Sequence, residues 1–487
     1  MKKHLVVLVV LSLVIGFAST SFAQEKKYSE APALAELVKE GKLPPVEERL
    51  PEEPLVVEPV EEIGQYGGTW HTAHMRSSPF SLTMYDPLLR WDENGQSIVP
   101  NIAKGWEVAD DGKSFTFYLR EGIKWSDGES FTVDDILFWY EDVLLNEELT
   151  PVEPIWMKVG DEVGKVEKLG DYAVRFTFSK PNGLFIEHLA SSSGEAVCRY
   201  PKHYLTQFHP AYVSKEDVEA LAKEEGFDTW FSLFLFKADI LSNPDLPVLT
   251  IWQLRTKPGA PRLVAERNPY YWKVDPQGNQ LPYIDRFVVD MVQSADVITL
   301  KALSGEIDMQ YYGLATLDFP VLLEGREKGG YRVMPAQSAG GTAAACLYLN
   351  QNVEDPVLRS LFENRKFRIA LSLAINRDEI NEFVYAGMSE PRQAVPSKYS
   401  PYYNSRYDQF AKSYIEYDPQ RANELLDEIG LISRDPEGYR LRPDGKPISI
   451  TIEFFETIGT TMADTCELLT NYLKDVGIKV APKPEEQ

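Results

Sequence analysis

Two short stretches, Ser114 to Arg120 and Tyr172 to Phe178, place large apolar side chains at every second position. Phe115, Phe117 and Leu119 occupy one, and Tyr172, Val174, Phe176 and Phe178 the other. A period of two puts these side chains on one face of an extended chain, so each stretch is expected to be a strand with one face in a core. Between them, Thr132 stands three residues before Asp135, the spacing of a capping box, and opens a helix expected to reach about Leu145. The same punctuation recurs later. Asn376 with Glu379 opens a helix stopped at Gly387, and Asp418-Pro419 opens one stopped at Gly430. Ile448, Ile450, Ile452 and Phe454 alternate as a strand; Thr461 to Val476 reads as a helix ended by Gly477, with a new strand from Ile478. Strands interleaved with capped helices exclude an all-α or all-β chain and indicate α/β or mixed α+β architecture with a mixed sheet.

The length, 487 residues, accommodates two or three domains. Lys2 and Lys3, the apolar run Leu5 to Phe17 and the small-residue stretch Ser21-Phe22-Ala23 have the layout of a signal peptide, expected to be cleaved after Ala23. The run is too short for a bilayer core, which needs about 20 residues. No cysteine near the cleavage point offers a lipid anchor, so the expected product is soluble and periplasmic or otherwise extracytoplasmic. Its charge is strongly negative: −24 for the whole chain, and −26 once Lys2 and Lys3 are removed. That disfavours nucleic acid as a partner. Residues 24–64 are rich in Pro and Glu and read as an extended arm, with one short helix from about Pro32 to Glu40 and regular structure from Gly67-Gly68-Thr69-Trp70 onward. Cys198, Cys346 and Cys466 sit among apolar or small neighbours and are expected to be buried free thiols.

Catalytic and cofactor signatures are missing. There is no Gly-rich phosphate loop. His71 and His74 are spaced for a metal only on a helix, and their segment reads as strand, so neither a metal nor a cofactor is expected. Carboxylates are too numerous for a catalytic pair to be recognised by spacing. Aromatic residues make up 12% of the chain, including 25 Tyr and 9 Trp, and aromatics with polar tips suit a cleft that grips an apolar or sugar face.

Several blocks carry a resemblance. Tyr85-Asp86-Pro87-Leu88-Leu89-Arg90-Trp91 is followed by Ile98-Val99-Pro100-Asn101-Ile102-Ala103, then Leu119-Arg120-Glu121-Gly122-Ile123-Lys124-Trp125-Ser126-Asp127-Gly128. Glu266-Arg267-Asn268-Pro269-Tyr270-Tyr271-Trp272, Leu303-Ser304-Gly305-Glu306-Ile307-Asp308 and Arg365-Lys366-Phe367-Arg368-Ile369-Ala370-Leu371 come next, in the same order as in the family 5 extracellular solute-binding proteins. The chain resembles these oligopeptide-, dipeptide- and nickel-binding receptors of bacterial ABC importers over about residues 68 to 480.

The resemblance implies a bilobed, periplasmic binding protein type II-like fold with a hinge and an inserted extra domain. Signal peptide 1–23 and arm 24–64 would precede domain I, made of 65–85 plus 201–325. Domain II would be the insert 86–200, and domain III would be 326–487, incomplete because relatives continue past the stretch matching Tyr472 to Val480. It also implies a non-enzymatic monomer that captures a solute between its lobes and delivers it to ABC permease subunits. An oligopeptide is the default solute, an oligosaccharide the main alternative, and a secreted hydrolase a remote one. The ligand-lining positions it implies are Arg76, Ser77, Ser78 and Phe80 after the first strand, Tyr311 and Tyr312 after the Gly-Glu-Ile-Asp block, and Tyr348 and Asn350 on the first strand of domain III.

Overall fold

The computed structural model describes residues 27–75, 83–257, 259–334, 344–455 and 461–485. The leader with Ala23, and the predicted lining residues Arg76, Ser77, Ser78 and Phe80, lie outside these.

Both period-two stretches are strands. Ser114–Leu119 pairs antiparallel with Ala103–Val108 on one side and Ala173–Thr177 on the other, and Lys165–Gly170 completes a four-stranded sheet. Phe117 faces Val174 and Phe115 faces Phe176 across the ladder. Phe185 packs against Phe115, Phe117, Phe176 and Phe178 with ring centres 4.9–6.3 Å apart, so the alternating aromatics interlock with a short helix, Phe185–Leu189. The core built on this sheet extends through Trp230, Phe234 and Leu249 to Trp272.

Thr132 and Asp135 form the reciprocal capping box that their spacing predicts. The helix it opens is α-helical only over Val133–Phe138, after which Trp139–Leu144 winds as a π-helix. The wider turn swings Val143 and Leu144 to the same side as Trp139, and all three are buried. A regular α-helix to Leu145 would have turned Leu144 away from the core.

A second four-stranded sheet runs in the order Trp252–Leu254, Arg262–Arg267, Arg286–Met291, Thr69–His74. Its first three strands are antiparallel, and Thr69–His74 joins parallel at the edge, His74 opposite Met291. Residues 344–485 build a separate core. Helices Arg365–Ala374, Pro419–Glu428 and Met462–Asp475 cover a parallel pair, Ser449–Phe455 with Lys479–Glu485. Asn376 and Asp418 accept N–H bonds from the first turns of their helices, and Gly387, Gly430 and Gly477 adopt the left-handed conformation at the stops.

Three expectations need correction. Residues 346–350 alternate, with Leu347 and Leu349 packed on the C-terminal core and Tyr348 and Asn350 outward, but no neighbouring strand pairs with them among the described residues. Tyr348 and Asn350 therefore sit on an irregular segment, because alternation alone does not make a strand without a partner edge. Cys198 and Cys466 are buried free thiols, whereas Cys346 is exposed. Its neighbours Ala344 and Ala345 are also exposed and too small to anchor the segment. Finally, regular structure begins before Gly67, since a helical turn, Val46–Arg49, and a short strand, Leu55–Val56, interrupt the arm.

The arm is tied down at many points. Helix Pro32–Lys39 carries its proline in the first turn. Leu55–Val56 pairs parallel with Lys273–Val274, and Ser29 bridges to Asn279. Arg49, 0% exposed, donates to the Pro44 and Pro269 carbonyls, to Gln280 Oε1 and to the Glu30 carboxylate. Further along, Arg120 donates to the Glu53 carbonyl at 3.0 Å and Lys124 to the Glu48 carbonyl at 2.6 Å. Among the described residues no helix is long and apolar enough to cross a membrane.

Candidate functional site

The edge strand Thr69–His74 has one side without a ladder partner, and such an edge must be covered or charged. Here the chain after helix Ala295–Leu303 covers it. Gly305, in the left-handed conformation, turns the chain against the Gly329 backbone, where a Cβ would come within 2.7 Å of the Gly329 carbonyl oxygen. The Asp308 N–H then donates to the His71 carbonyl at 2.9 Å. The Asp308 carboxylate accepts the His71 N–H at 2.6 Å and lies 2.9 Å from His71 Nδ1. Two residues on, the Gln310 amide accepts the Ala73 N–H at 3.1 Å and donates to the Ala73 carbonyl at 2.8 Å. Trp70, stacked on Phe287 with ring centres 4.3 Å apart, donates its indole N–H to the Met309 carbonyl.

This docking delivers two adjacent tyrosines to the end of the strand. The Tyr312 ring lies 4.0 Å from the His74 ring at an interplanar angle of 13°, a near-parallel stack. Its hydroxyl is buried with no hydrogen-bond partner among the described residues. Tyr311 beside it is 56% exposed. Burial of the phenol, with the neighbouring Tyr312 adding a little, raises the Tyr311 pKa, so the Tyr311 ring is a neutral hydroxyl carrier at physiological pH. The strand spacing also settles the two histidines. Three residues apart on a strand, His71 and His74 face opposite sides of the sheet, one toward Asp308 and the other toward Tyr312. No cluster able to hold a metal occurs among the described residues.

Of the predicted lining positions, Tyr311 and Tyr312 come together with His74. Tyr348 (81% exposed) and Asn350, also exposed, lie on the C-terminal core. Asp308 and Gln310, which fasten the crossover, carry a signal that goes unread in the sequence: two polar residues at strand spacing after a turn glycine.

A second concentration of charge lies inside the first core. Asp86 (3% exposed) accepts from Lys273 Nζ at 2.6 Å, from the Tyr271 hydroxyl at 3.2 Å and from Asn101 and Arg90 at 3.3 and 3.4 Å. Burial lowers the Lys273 pKa to about 8 against the pull of Asp86. Burial raises Glu195 to about 8, opposed by Arg199 and reinforced by Asp86. The cavity lined by Asp86, Trp125, Glu195 and Arg199 has room for about 20 Å³, a single water. It is too small for a substrate, so these groups knit the core rather than meet a solute.

Residues 97–487 match the family described as bacterial extracellular solute-binding proteins, family 5. The chain belongs to this family. A family 5 binding protein is a solute receptor and not an enzyme, and the family is extracellular or periplasmic. The binding protein is 45% identical to an oligopeptide-binding protein OppA of known structure, over 94% of this chain and 72% of that one, with a TM-score of 0.70. It is 27% identical to the periplasmic alpha-galactoside-binding protein of Rhizobium meliloti, over 94% of this chain and 68% of that protein. It also shares the fold of the periplasmic binding protein MelB of Agrobacterium fabrum, solved in complex with stachyose, at 24% identity and a TM-score of 0.69, covering 94% and 71%. The mixed α/β fold is that of these binding proteins.

Proposed function

We propose that this protein is the extracytoplasmic receptor of an ABC importer and that its solute is an oligosaccharide. The observation that carries the reading is the near-parallel His74–Tyr312 stack with Tyr311 exposed beside it, at a place where the ionic groups are already paired. The flat face and hydroxyl that Tyr311 exposes match a sugar ring, whereas a zwitterionic peptide needs free charges for its termini. The alpha-galactoside-binding relative supports the same choice. An oligopeptide is the second reading, favoured by the 45% identity to an oligopeptide-binding protein.

In this proposal residues 65–325 form one lobe, with 86–200 inserted as a domain of its own, and residues 326–487 contribute to the other. A solute held by Tyr311 and Tyr312 on one side and by Tyr348 and Asn350 on the other favours the closed form only by its extra affinity for that form. Arg76, Ser77, Ser78 and Phe80 complete the lining. The closed form presents the solute to membrane permeases, and the receptor acts as a soluble monomer after removal of its leader at Ala23. Titration calorimetry with stachyose and with a library of three- to five-residue peptides tests the reading. Stachyose binding is expected, and replacing both Tyr311 and Tyr312 by Ala should weaken it about tenfold or more, given about 0.5–1.5 kcal/mol for each aromatic contact. Peptide binding without sugar binding selects the second reading, and unchanged stachyose affinity in the double variant rejects the assignment of the tyrosines.

A further inference from the structure

The Gln310 side chain makes more bonds than its one-amide chemistry usually finds. Besides the two-way pairing with Ala73, its Oε1 accepts from the Thr72 hydroxyl at 2.5 Å and its Nε2 donates to the Tyr312 carbonyl at 2.5 Å. The amide thus replaces a peptide unit: it closes a ladder step on the edge strand with a side chain, where a paired strand would use its backbone. Because the same amide holds the Tyr312 carbonyl, it links the strand that carries His74 to the residue whose ring stacks on His74. Gly313 follows in the left-handed conformation, and a Cβ there would meet Ile298 Cδ1 at 2.5 Å, so the chain leaves the crossover on a path that favours glycine.

We infer that Gln310 is the positioning residue of the solute site, setting the spacing between the His74–Tyr312 stack and the exposed Tyr311; the link to solute rests on the oligosaccharide reading above. The chemistry requires both a donor and an acceptor at one end of one side chain. Gln310→Ala supplies neither. Gln310→Glu keeps the acceptor for Ala73 N–H and Thr72, but at neutral pH it sets a carboxylate oxygen against the Ala73 and Tyr312 carbonyls. Protonation of that carboxyl returns one donor.

The test combines amide hydrogen exchange with stachyose titration on the full chain. In Gln310→Ala, exchange at Ala73 should accelerate while exchange at Val289, inside the same sheet, stays slow, and stachyose affinity should fall about tenfold. In Gln310→Glu, affinity should be weak at pH 7 and recover toward wild type at pH 4, relative to wild type measured at both values. Fast exchange at Ala73 beside slow exchange at Val289 separates this local fastening from a general loss of stability. Unchanged Ala73 exchange and unchanged affinity in Gln310→Ala would overturn the inference. If wild type binds no stachyose yet Ala73 exchange accelerates in Gln310→Ala, the solute reading falls and the fastening of the crossover by Gln310 stands.

Discussion

Arg49 and Arg440 are both sealed from solvent, yet they hold their surroundings in opposite ways. Arg440 (2% exposed) bonds Asp427, Leu431, Asn423 and Val476, all within 36 residues of it in the chain. Arg49 reaches Pro269 and Gln280, 220 and 231 residues away. The C-terminal core is therefore assembled from near neighbours, with helices and turns that carry their own stop signals. The N-terminal core is closed by pieces that meet only after most of the chain has been threaded. Their charge partners differ as well. Glu30 beside Arg49 is 8% exposed, whereas Asp427 beside Arg440 is 51% exposed.

That contrast can be broken experimentally. Arg49→Ala leaves Glu30 buried without a partner and should cost about 3–5 kcal/mol in chemical denaturation. Arg440→Ala leaves Asp427 free to hydrate and should cost clearly less. Equal losses would mean that packing around each guanidinium, and neither chain distance nor the stranded charge, sets the cost.

The next largest effect lies in the same N-terminal core and depends on pH. Glu195 is held near a pKa of about 8 in the fold, against an ordinary 4.5. Below about pH 4.5 both folded and unfolded chains carry the proton. Between 4.5 and 8 the unfolded chain releases it while the fold keeps it, so stability falls as pH rises through that window. Glu195→Gln has no proton to lose. Its stability relative to wild type should therefore grow from pH 4.5 to 8, by on the order of 2 kcal/mol, and a difference that stays flat with pH would remove Glu195 from the account.

The smallest effect belongs to the C-terminal core. Asp418 accepts the Arg421 N–H at 2.8 Å as the cap of helix Pro419–Glu428. Asp418→Ala should cost about 1 kcal/mol, with Asp418→Asn largely restoring it. A loss as large as that at Arg49 would show that the C-terminal core is not locally built.

The same contrast explains what could be read from the sequence. Thr132, Asn376, Asp418 and Gly477 announce helix ends because a cap is satisfied within a few residues. Phe115, Phe117, Val174 and Phe176 announce strands because burial follows the pleat. The π-helical turn at Trp139–Leu144 is set by three side chains competing for one core, which no local spacing reveals. The part played by Arg49 depends on carbonyls more than 200 residues away. At the candidate site, the aromatic pair Tyr311-Tyr312 is legible as a motif. Asp308 and Gln310 are not, because their partner is the bare edge of a strand whose place in the sheet emerges only on folding.

The long reach of Arg49 also imposes a timetable. A ribosome adds about 5–20 residues per second, so roughly ten to fifty seconds separate the synthesis of Arg49 from that of Gln280, 231 residues later. Through that interval Arg49 lacks its Pro269 and Gln280 partners and Leu55–Val56 lacks its ladder partner Lys273–Val274, so the arm is held only by its earlier contacts. The near-neighbour wiring around Arg440 imposes no such wait, since Asp427, Leu431, Asn423 and Val476 all lie within 36 residues of it.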